Sequence, residues 1–147
     1  MKNILVINGP NLNMLDRRDK TIYGDSSLEK IEKNCQKLAV SLNVIVTFKQ
    51  SNSEGEIVNF IQNAIDQFDG IIINAAAYTH TSVAIRDALE IFKKPKIEIH
   101  LSNIFAREEF RKNSLISDVV NGVISGFGEF GYEMALNGTI DLLLKQK

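Results

Sequence analysis

The residues best suited to chemistry fall in three clusters, and the first combines arginine with tyrosine. It reads NGPNLNMLDRRDKTIYG at residues 8–24 and contains Asn11, Arg18 and Tyr23. A tyrosine with an ordinary pKa of about 10 is scarcely ionised at neutral pH, and a nearby guanidinium favours its phenolate. Asparagine can orient a water molecule or a carbonyl group. These residue types indicate a general base, whereas a solvated turn with a packed aromatic ring is the structural alternative.

The second cluster joins the end of an apolar run to the start of a predicted helix. It reads NAAAYTHTSVAIRDALE at residues 74–90, where Thr81 or Ser82 can cap the helix. Free backbone amides at a helix start suit an anion such as a carboxylate. Arg86 and Asp87 follow one turn later, and the structural alternative for both is an exposed helix face or a subunit contact.

The third cluster, EIHLSNIFAREEFRKNS at residues 98–114, supplies further positive charge. Arg107 and Arg111 stand four residues apart and could share a helical face, from which their forked donors would hold a carboxylate. Glu108 and Glu109 could instead pair with both arginines at the surface. The sequence leaves these two interpretations open.

The clusters are separated by short apolar runs that alternate with helical patterns. This alternation predicts strand–helix units around a parallel sheet. We therefore expect an α/β, flavodoxin-like doubly wound sheet of five parallel strands, in the order 2-1-3-4-5, with helices on both faces. The predicted strands are residues 4–8, 44–49, 70–74, 96–100 and 119–125, and the predicted helices are residues 28–42, 57–68, 82–92 and 130–144.

Three of the predicted strands end in a polar residue, at Asn8, Asn74 and His100. Ligands of doubly wound sheets bind beyond the carboxyl ends of the strands. His80 and the longest loop, residues 9–25, fall on the same edge of the predicted sheet. The sequence therefore predicts a site at that edge.

Composition limits the classes of function. The 147 residues fit a single domain (1–147), and the 44% apolar content is that of a globular protein. With 17 basic and 18 acidic side chains, the formal net charge of -1 does not favour binding to nucleic acid or to an anionic membrane. Cys35 is the only cysteine, and the sequence contains no metal-binding pattern. The first apolar run, ILVI, is too short for a signal peptide or membrane span, so we expect a cytoplasmic protein.

A glycine pattern near the end, GFGEFG at residues 126–131, indicates an alternative function. Such a GxGxxG between a strand and a helix is typical of dinucleotide sites and would favour a flavodoxin-like nucleotide- or flavin-binding module. The pattern normally belongs to the first strand–helix–strand unit, with an acidic ribose ligand on a later strand. Only one helix follows here, which argues against a nucleotide.

Taken together, five ordered motifs closely resemble the type II 3-dehydroquinases. The motifs are NGPNLN with Arg18 and Tyr23-Gly24, QSNSEGE, AYTHTSVAIRDA, EIHLSN with AREEFR, and GFGEFGY, and they span residues 8–132. The resemblance implies a hydro-lyase that converts 3-dehydroquinate to 3-dehydroshikimate through an enolate, in the shikimate pathway or in quinate catabolism. It also implies no cofactor, no metal ion and no Schiff base. The implied assembly is a homo-oligomer, a dodecamer of four trimers.

The resemblance further implies a role for each site residue. Tyr23 would be the base, Arg18 would favour its phenolate, Asn11 would hold a water molecule against the enolate oxygen, and His100 would be the acid. The implied substrate-binding groups are the side chains of Asn74, His80 and Arg111 and the backbone amides of Leu101 and Ser102. Asp87 is implied to reach the site of a neighbouring subunit. The chain departs from the usual family pattern at Asp16, Asp19, Lys20 and Ile91.

Overall fold

The computed structural model describes residues 1–146, which fold around one parallel sheet. Its strands are β1 (Lys2–Asn8), β2 (Val44–Gln50), β3 (Gly70–Asn74), β4 (Lys96–His100) and β5 (Gly122–Ser125). They are hydrogen-bonded in the order β2-β1-β3-β4-β5, and each neighbouring pair is parallel. The predicted fold class and strand order are confirmed.

The described residues form five α-helices. These are α1 (Lys20–Tyr23), α2 (Leu28–Leu42), α3 (Glu54–Gln67), α4 (Val83–Ile91) and α5 (Phe130–Lys145). Ser27, Ser53 and Ser82 precede α2, α3 and α4, and each hydroxyl accepts a hydrogen bond from a backbone amide of the first turn. Ser82, rather than Thr81, therefore caps α4. Within residues 1–146, no helix combines the length and the apolar content that a membrane span requires.

Each face of the sheet is covered by two helices, because alternate strand residues point to opposite faces. Ile4, Val6 and Ile72 pack in the cluster that includes α2 and α5, whereas Ile7 and Ile73 pack in the cluster that includes α3 and α4. All five of these strand side chains are at most 1% exposed. A slip of one residue in register would move buried side chains to the wrong face, so this alternation fixes the alignment of the strands.

The loops that leave β1 and β3 touch at Gly9. The amide of Gly9 donates a hydrogen bond of 2.8 Å to the carbonyl of Asn74. A Cβ atom at position 9 would lie 2.5 Å from the carbonyl oxygen of Ala75, which no side chain can tolerate. Glycine therefore allows the contact that brings the first two polar clusters together.

The predicted start of the last strand is wrong. β5 begins at Gly122, three residues later than expected, because Ser117–Val119 forms a 3-10 turn. This turn carries Ser117, whose hydroxyl donates a hydrogen bond of 2.5 Å to the buried carboxylate of Glu98. The chain is therefore turned, not extended, in this segment.

The loop predicted at residues 9–25 is also more ordered than expected. It contains a 3-10 helix, Leu12–Arg17, and the short helix α1. The side chain of Asp19 caps α1 by accepting a hydrogen bond of 2.9 Å from the amide of Thr21. Leu12 is 2% exposed, so the segment is anchored to the core from inside.

Candidate active site

A pocket lies at the carboxyl edge of the sheet, where β3 and β4 end. Its cavity volume is about 120 Å³ and it is partly open to solvent, which suits a small ligand. Nine of the ten residues expected at the site line it: Asn11, Arg18, Tyr23, Asn74, His80, His100, Leu101, Ser102 and Arg111. The tenth, Asp87, is exposed on α4 and does not line this pocket.

Tyr23 has two guanidinium groups against it. The tyrosine is only 8% exposed, and Nη2 of Arg18 donates a hydrogen bond to its phenolic oxygen. The Cζ atoms of Arg18 and Arg107 lie 3.8 Å and 5.0 Å from the centroid of the Tyr23 ring. Positive charge this close favours the ionised form of a phenol. The arrangement therefore suits Tyr23 to accept a proton.

The pocket carries more positive than negative charge. Burial lowers the pKa of Arg18, and the charges of Arg107 and Arg111 lower it further, whereas Tyr23 opposes this shift. Glu108 at the rim lies 3.1 Å from Nε of Arg111 and 3.8 Å from Nε of Arg107. Glu108 thus contacts two of the three guanidinium groups that line the pocket, and an anionic ligand would relieve the repulsion that remains.

Arg107 and Arg111 do not share one helical face, so that prediction is wrong. Arg107 ends the 3-10 turn Ile104–Ala106, and Arg111 lies in the next turn, Glu109–Lys112. Both arginines nevertheless line the pocket. The Nε atom of Arg107 is buried without a hydrogen-bond partner in residues 1–146. Glu108 pairs with both arginines while they still face the pocket, so neither of the two open interpretations was complete.

His100 is paired with Glu98, a residue that sequence reasoning missed. Nε2 of His100 lies 2.5 Å from Oε2 of Glu98, and both side chains are buried. Burial alone would raise the pKa of Glu98, but hydrogen bonds from His100, Ser117 and Ser114 together hold it below its usual range. The signal was present in KIEIH, because residues two apart on a strand point to the same face.

The second histidine is held as a neutral ring. Nδ1 of His80 lies 2.8 Å from the carbonyl oxygen of Asn113, which can only accept, so Nδ1 carries the proton. Burial lowers the pKa of His80, the hydrogen bond with Asn113 opposes this shift, and the charges of His100 and Arg111 lower the pKa further. The Nε2 atom is therefore an acceptor. The rings of His80 and His100 are stacked, with their centroids 6.4 Å apart.

The glycine pattern at residues 126–131 forms hydrogen bonds with the backbone that lines the pocket after β4. The amide of Gly126 donates to the carbonyl of His100 at 3.3 Å, and the amide of Gly128 donates to the carbonyl of Leu101 at 2.9 Å. The amides of Leu101 and Ser102 themselves donate no hydrogen bond within residues 1–146. The glycine amides are thus used inside the fold, and they orient two amides that could bind an anion.

The position, charge and lining of the pocket place the protein in a class. A cationic pocket at the carboxyl edge of a doubly wound sheet, lined by tyrosine and histidine side chains that can exchange protons, is typical of an α/β enzyme that acts on a small anion. Within residues 1–146, no group of three or more histidine, cysteine, aspartate and glutamate side chains is arranged to hold a metal ion.

Comparison with known proteins identifies the family. The model of the class II dehydroquinases matches residues 2–140. A 3-dehydroquinate dehydratase from Prochlorococcus marinus is 53% identical over 143 residues, which cover 97% of this chain and 96% of the relative. One from Campylobacter jejuni is 53% identical over 139 residues, covering 95% and 87%. The crystal structure of a type II dehydroquinase from Butyrivibrio crossotus superposes with a TM-score of 0.93 at 48% identity, covering 95% of this chain and 97% of that one. The chain belongs to the class II dehydroquinase family.

The ionised state of Glu98 predicts a pH dependence of stability. Because its pKa is held below the ordinary 4.5, Glu98 stabilises the fold above that pH and loses this contribution as the pH falls. We expect the free energy of unfolding of the wild type, relative to Glu98→Gln, to decrease between pH 6 and pH 3. Urea unfolding at several pH values measures it. Glu109→Gln, at an exposed carboxylate paired with Lys112, is the control and should show a much flatter difference. If the difference in free energy of unfolding between the wild type and Glu98→Gln did not change with pH, the buried carboxyl would not be ionised.

Proposed function

We propose that this chain is a 3-dehydroquinate dehydratase, which removes water from 3-dehydroquinate to form 3-dehydroshikimate. The observation that carries the proposal is the presence, in one pocket, of a tyrosine in contact with Arg18 and a histidine in contact with Glu98. Membership of the family and the names of its close relatives supply the substrate. A role in the shikimate pathway and in chorismate and aromatic amino acid biosynthesis, and a cytoplasmic location, follow from the same membership as parts of the proposal.

The first chemical step is proton removal by Tyr23. The proton lies next to a ketone, so its loss leaves the electron pair as an enolate, which needs hydrogen-bond donors. Arg18 donates a hydrogen bond to the phenolic oxygen, and Arg107 adds positive charge beside the ring. Asn11 lines the same pocket and can hold a water molecule against the enolate oxygen.

The second step is the departure of hydroxide with a proton from His100. Nε2 of His100 is directed to Glu98, so Nδ1 is the nitrogen left to donate. A buried carboxylate beside the ring stabilises the imidazolium from which that proton comes. The enolate returns to the ketone and its carbon electrons form the new carbon–carbon double bond as the hydroxyl leaves as water. Tyr23 then gives its proton to solvent, and His100 takes one back.

The remaining pocket groups bind the substrate. Arg111 and the unpaired amides of Leu101 and Ser102 suit its carboxylate, because they combine positive charge with free donors. The neutral ring of His80 offers an acceptor to a hydroxyl group, and Asn74 lies beside it in the pocket. These contacts bind the substrate equally in its ground state and in the transition state.

Replacing Tyr23 with phenylalanine tests the proposed base. We expect Tyr23→Phe to lower kcat by about 10²- to 10⁴-fold, since general base catalysis supplies that factor, with KM little changed. Absorbance of the conjugated product from 3-dehydroquinate measures both constants. The control is Tyr78→Phe, which removes a hydroxyl bonded to the carbonyl of Asn52 outside the pocket and should leave kcat within about twofold. A Tyr23→Phe enzyme that keeps more than about a tenth of wild-type kcat would refute Tyr23 as the base.

The proposed chemistry forms no imine with a lysine. Among residues 1–146, no lysine lines the pocket. The buried Lys96 lies at the start of β4, where its amino group donates to the carbonyls of Leu89 and Phe92 at the end of α4. We expect borohydride added with 3-dehydroquinate to leave activity intact, and a chelator to have no effect. Irreversible inactivation with a lysine adduct in the mass spectrum, or loss of activity that zinc or magnesium restores, would contradict the proposal.

Asp87 is proposed to act between subunits of a homododecamer, a tetramer of trimers. It is exposed on α4 and does not line the pocket of its own chain, so a catalytic contribution requires another copy. We expect Asp87→Asn to lose activity without unfolding. Asp66→Asn, at an exposed position of α3, is the control.

Mixed assemblies test this sharing of sites. When Asp87→Asn and Tyr23→Phe chains are co-expressed, about a quarter of the sites should combine an intact Tyr23 with an intact Asp87 from a neighbour. Recovered activity near a quarter of wild type, in particles of dodecameric mass by light scattering, is the expected result. Mixtures as inactive as either variant alone would count against shared sites.

A further inference from the structure

The pocket residue Asn74 is tied to a buried tyrosine that the proposed mechanism does not use. Tyr132 lies in the first turn of α5, is 1% exposed and is stacked on Phe48 with ring centroids 6.4 Å apart. Burial raises the pKa of Tyr132 above its usual range, so its hydroxyl keeps its proton. A neutral phenol can donate one hydrogen bond and accept another. Tyr132 does both here.

The hydrogen bonds around Tyr132 form a chain in which every group donates toward the same end. Its hydroxyl donates to Oδ1 of Asn8 at 2.6 Å and accepts from Nδ2 of Asn74 at 3.1 Å. Nδ2 of Asn8 donates onward to the carbonyl of Lys49 at 3.4 Å. Oδ1 of Asn74 accepts from the amide of Ala76 at 3.2 Å. A backbone carbonyl therefore ends the chain on one side and a backbone amide ends it on the other.

The backbone groups at the two ends of this hydrogen-bond chain determine the orientation of each side chain between them. A carbonyl can only accept and an amide N–H can only donate, so neither asparagine can exchange its nitrogen and oxygen without breaking a bond. Asn74 must point its amide nitrogen toward Tyr132. One of its two N–H groups is used there, and the second has no partner within residues 1–146. Since Asn74 lines the pocket, that second N–H is available to a ligand.

We propose that Tyr132 is a positioning residue that fixes Asn74 as a hydrogen-bond donor to the substrate. Without the phenolic oxygen, the bond from the amide of Ala76 would alone hold the orientation of Asn74, and the side chain could more easily present its oxygen to the pocket. A substrate oxygen would then meet an acceptor rather than a donor. The inference rests on the proposed function, because 3-dehydroquinate supplies the oxygen atoms that Asn74 would bind.

The test is a double-mutant cycle between Tyr132→Phe and Asn74→Ala. We expect Tyr132→Phe to raise KM for 3-dehydroquinate about tenfold with kcat changed less than threefold, as for the loss of one hydrogen bond to bound substrate. In the Asn74→Ala background, Tyr132→Phe should raise KM by less than about twofold, because its partner is already gone. Thr139→Val is the matched control, since it removes another buried hydroxyl of α5, bonded to the carbonyl of Ala135, and should leave KM unchanged.

Several outcomes would overturn the inference. An unchanged KM in Tyr132→Phe, or the same increase in KM in both backgrounds, would show that Tyr132 supports only the fold. If Tyr132→Phe does not fold, Asn8→Ala removes the acceptor of the Tyr132 hydroxyl and frees that hydroxyl to donate to Asn74 instead. This variant should raise KM in the same direction by a smaller factor, and the increase should be absent in the Asn74→Ala background. A wild-type protein without dehydratase activity would instead refute the proposed function, so the two failures are distinguishable.

Discussion

The buried carboxylate of Glu98 is the constraint on which the site depends. A fully buried charge must be met by donors, and Glu98 obtains them from His100, Ser114 and Ser117. His100 is thereby fixed in one orientation. The two serines require the chain to turn before β5, which sets where that strand begins. One buried carboxylate in β4 thus specifies both the orientation of the His100 ring and the local course of the backbone.

Most of the fold could be predicted because its determinants are local. Apolar runs that end at Asn8, Asn74 and His100 mark strands and place their carboxyl ends at a common edge. The site was harder, because its contacts join residues that the sequence does not relate. Arg107 and Arg111 meet Tyr23 and Glu108 through separate turns rather than through one helix, and helical spacing carries no information about turns.

The glycine pattern shows why a motif needs its surroundings before it indicates a function. In a dinucleotide site, glycine amides face phosphate. Here the amides of Gly126 and Gly128 bond to the carbonyls of His100 and Leu101, and Gly126 has a φ of 96° that favours glycine. In this protein the same glycine pattern therefore stabilises the backbone at the end of β4. The following residue of the motif, Tyr132, extends that support to Asn74.

The strand order also has a consequence for how the chain folds during synthesis. β1 lies inside the sheet and pairs Lys2 with Val44 on one side and Ile4 with Gly70 on the other. It precedes both partner strands in the chain, so its apolar side chains have no native neighbour until β2 and β3 have been synthesised. Contacts so distant in sequence slow folding and prolong exposure to aggregation. The central position of β1 in the sheet thus makes its apolar side chains vulnerable to aggregation until the later strands pair with it.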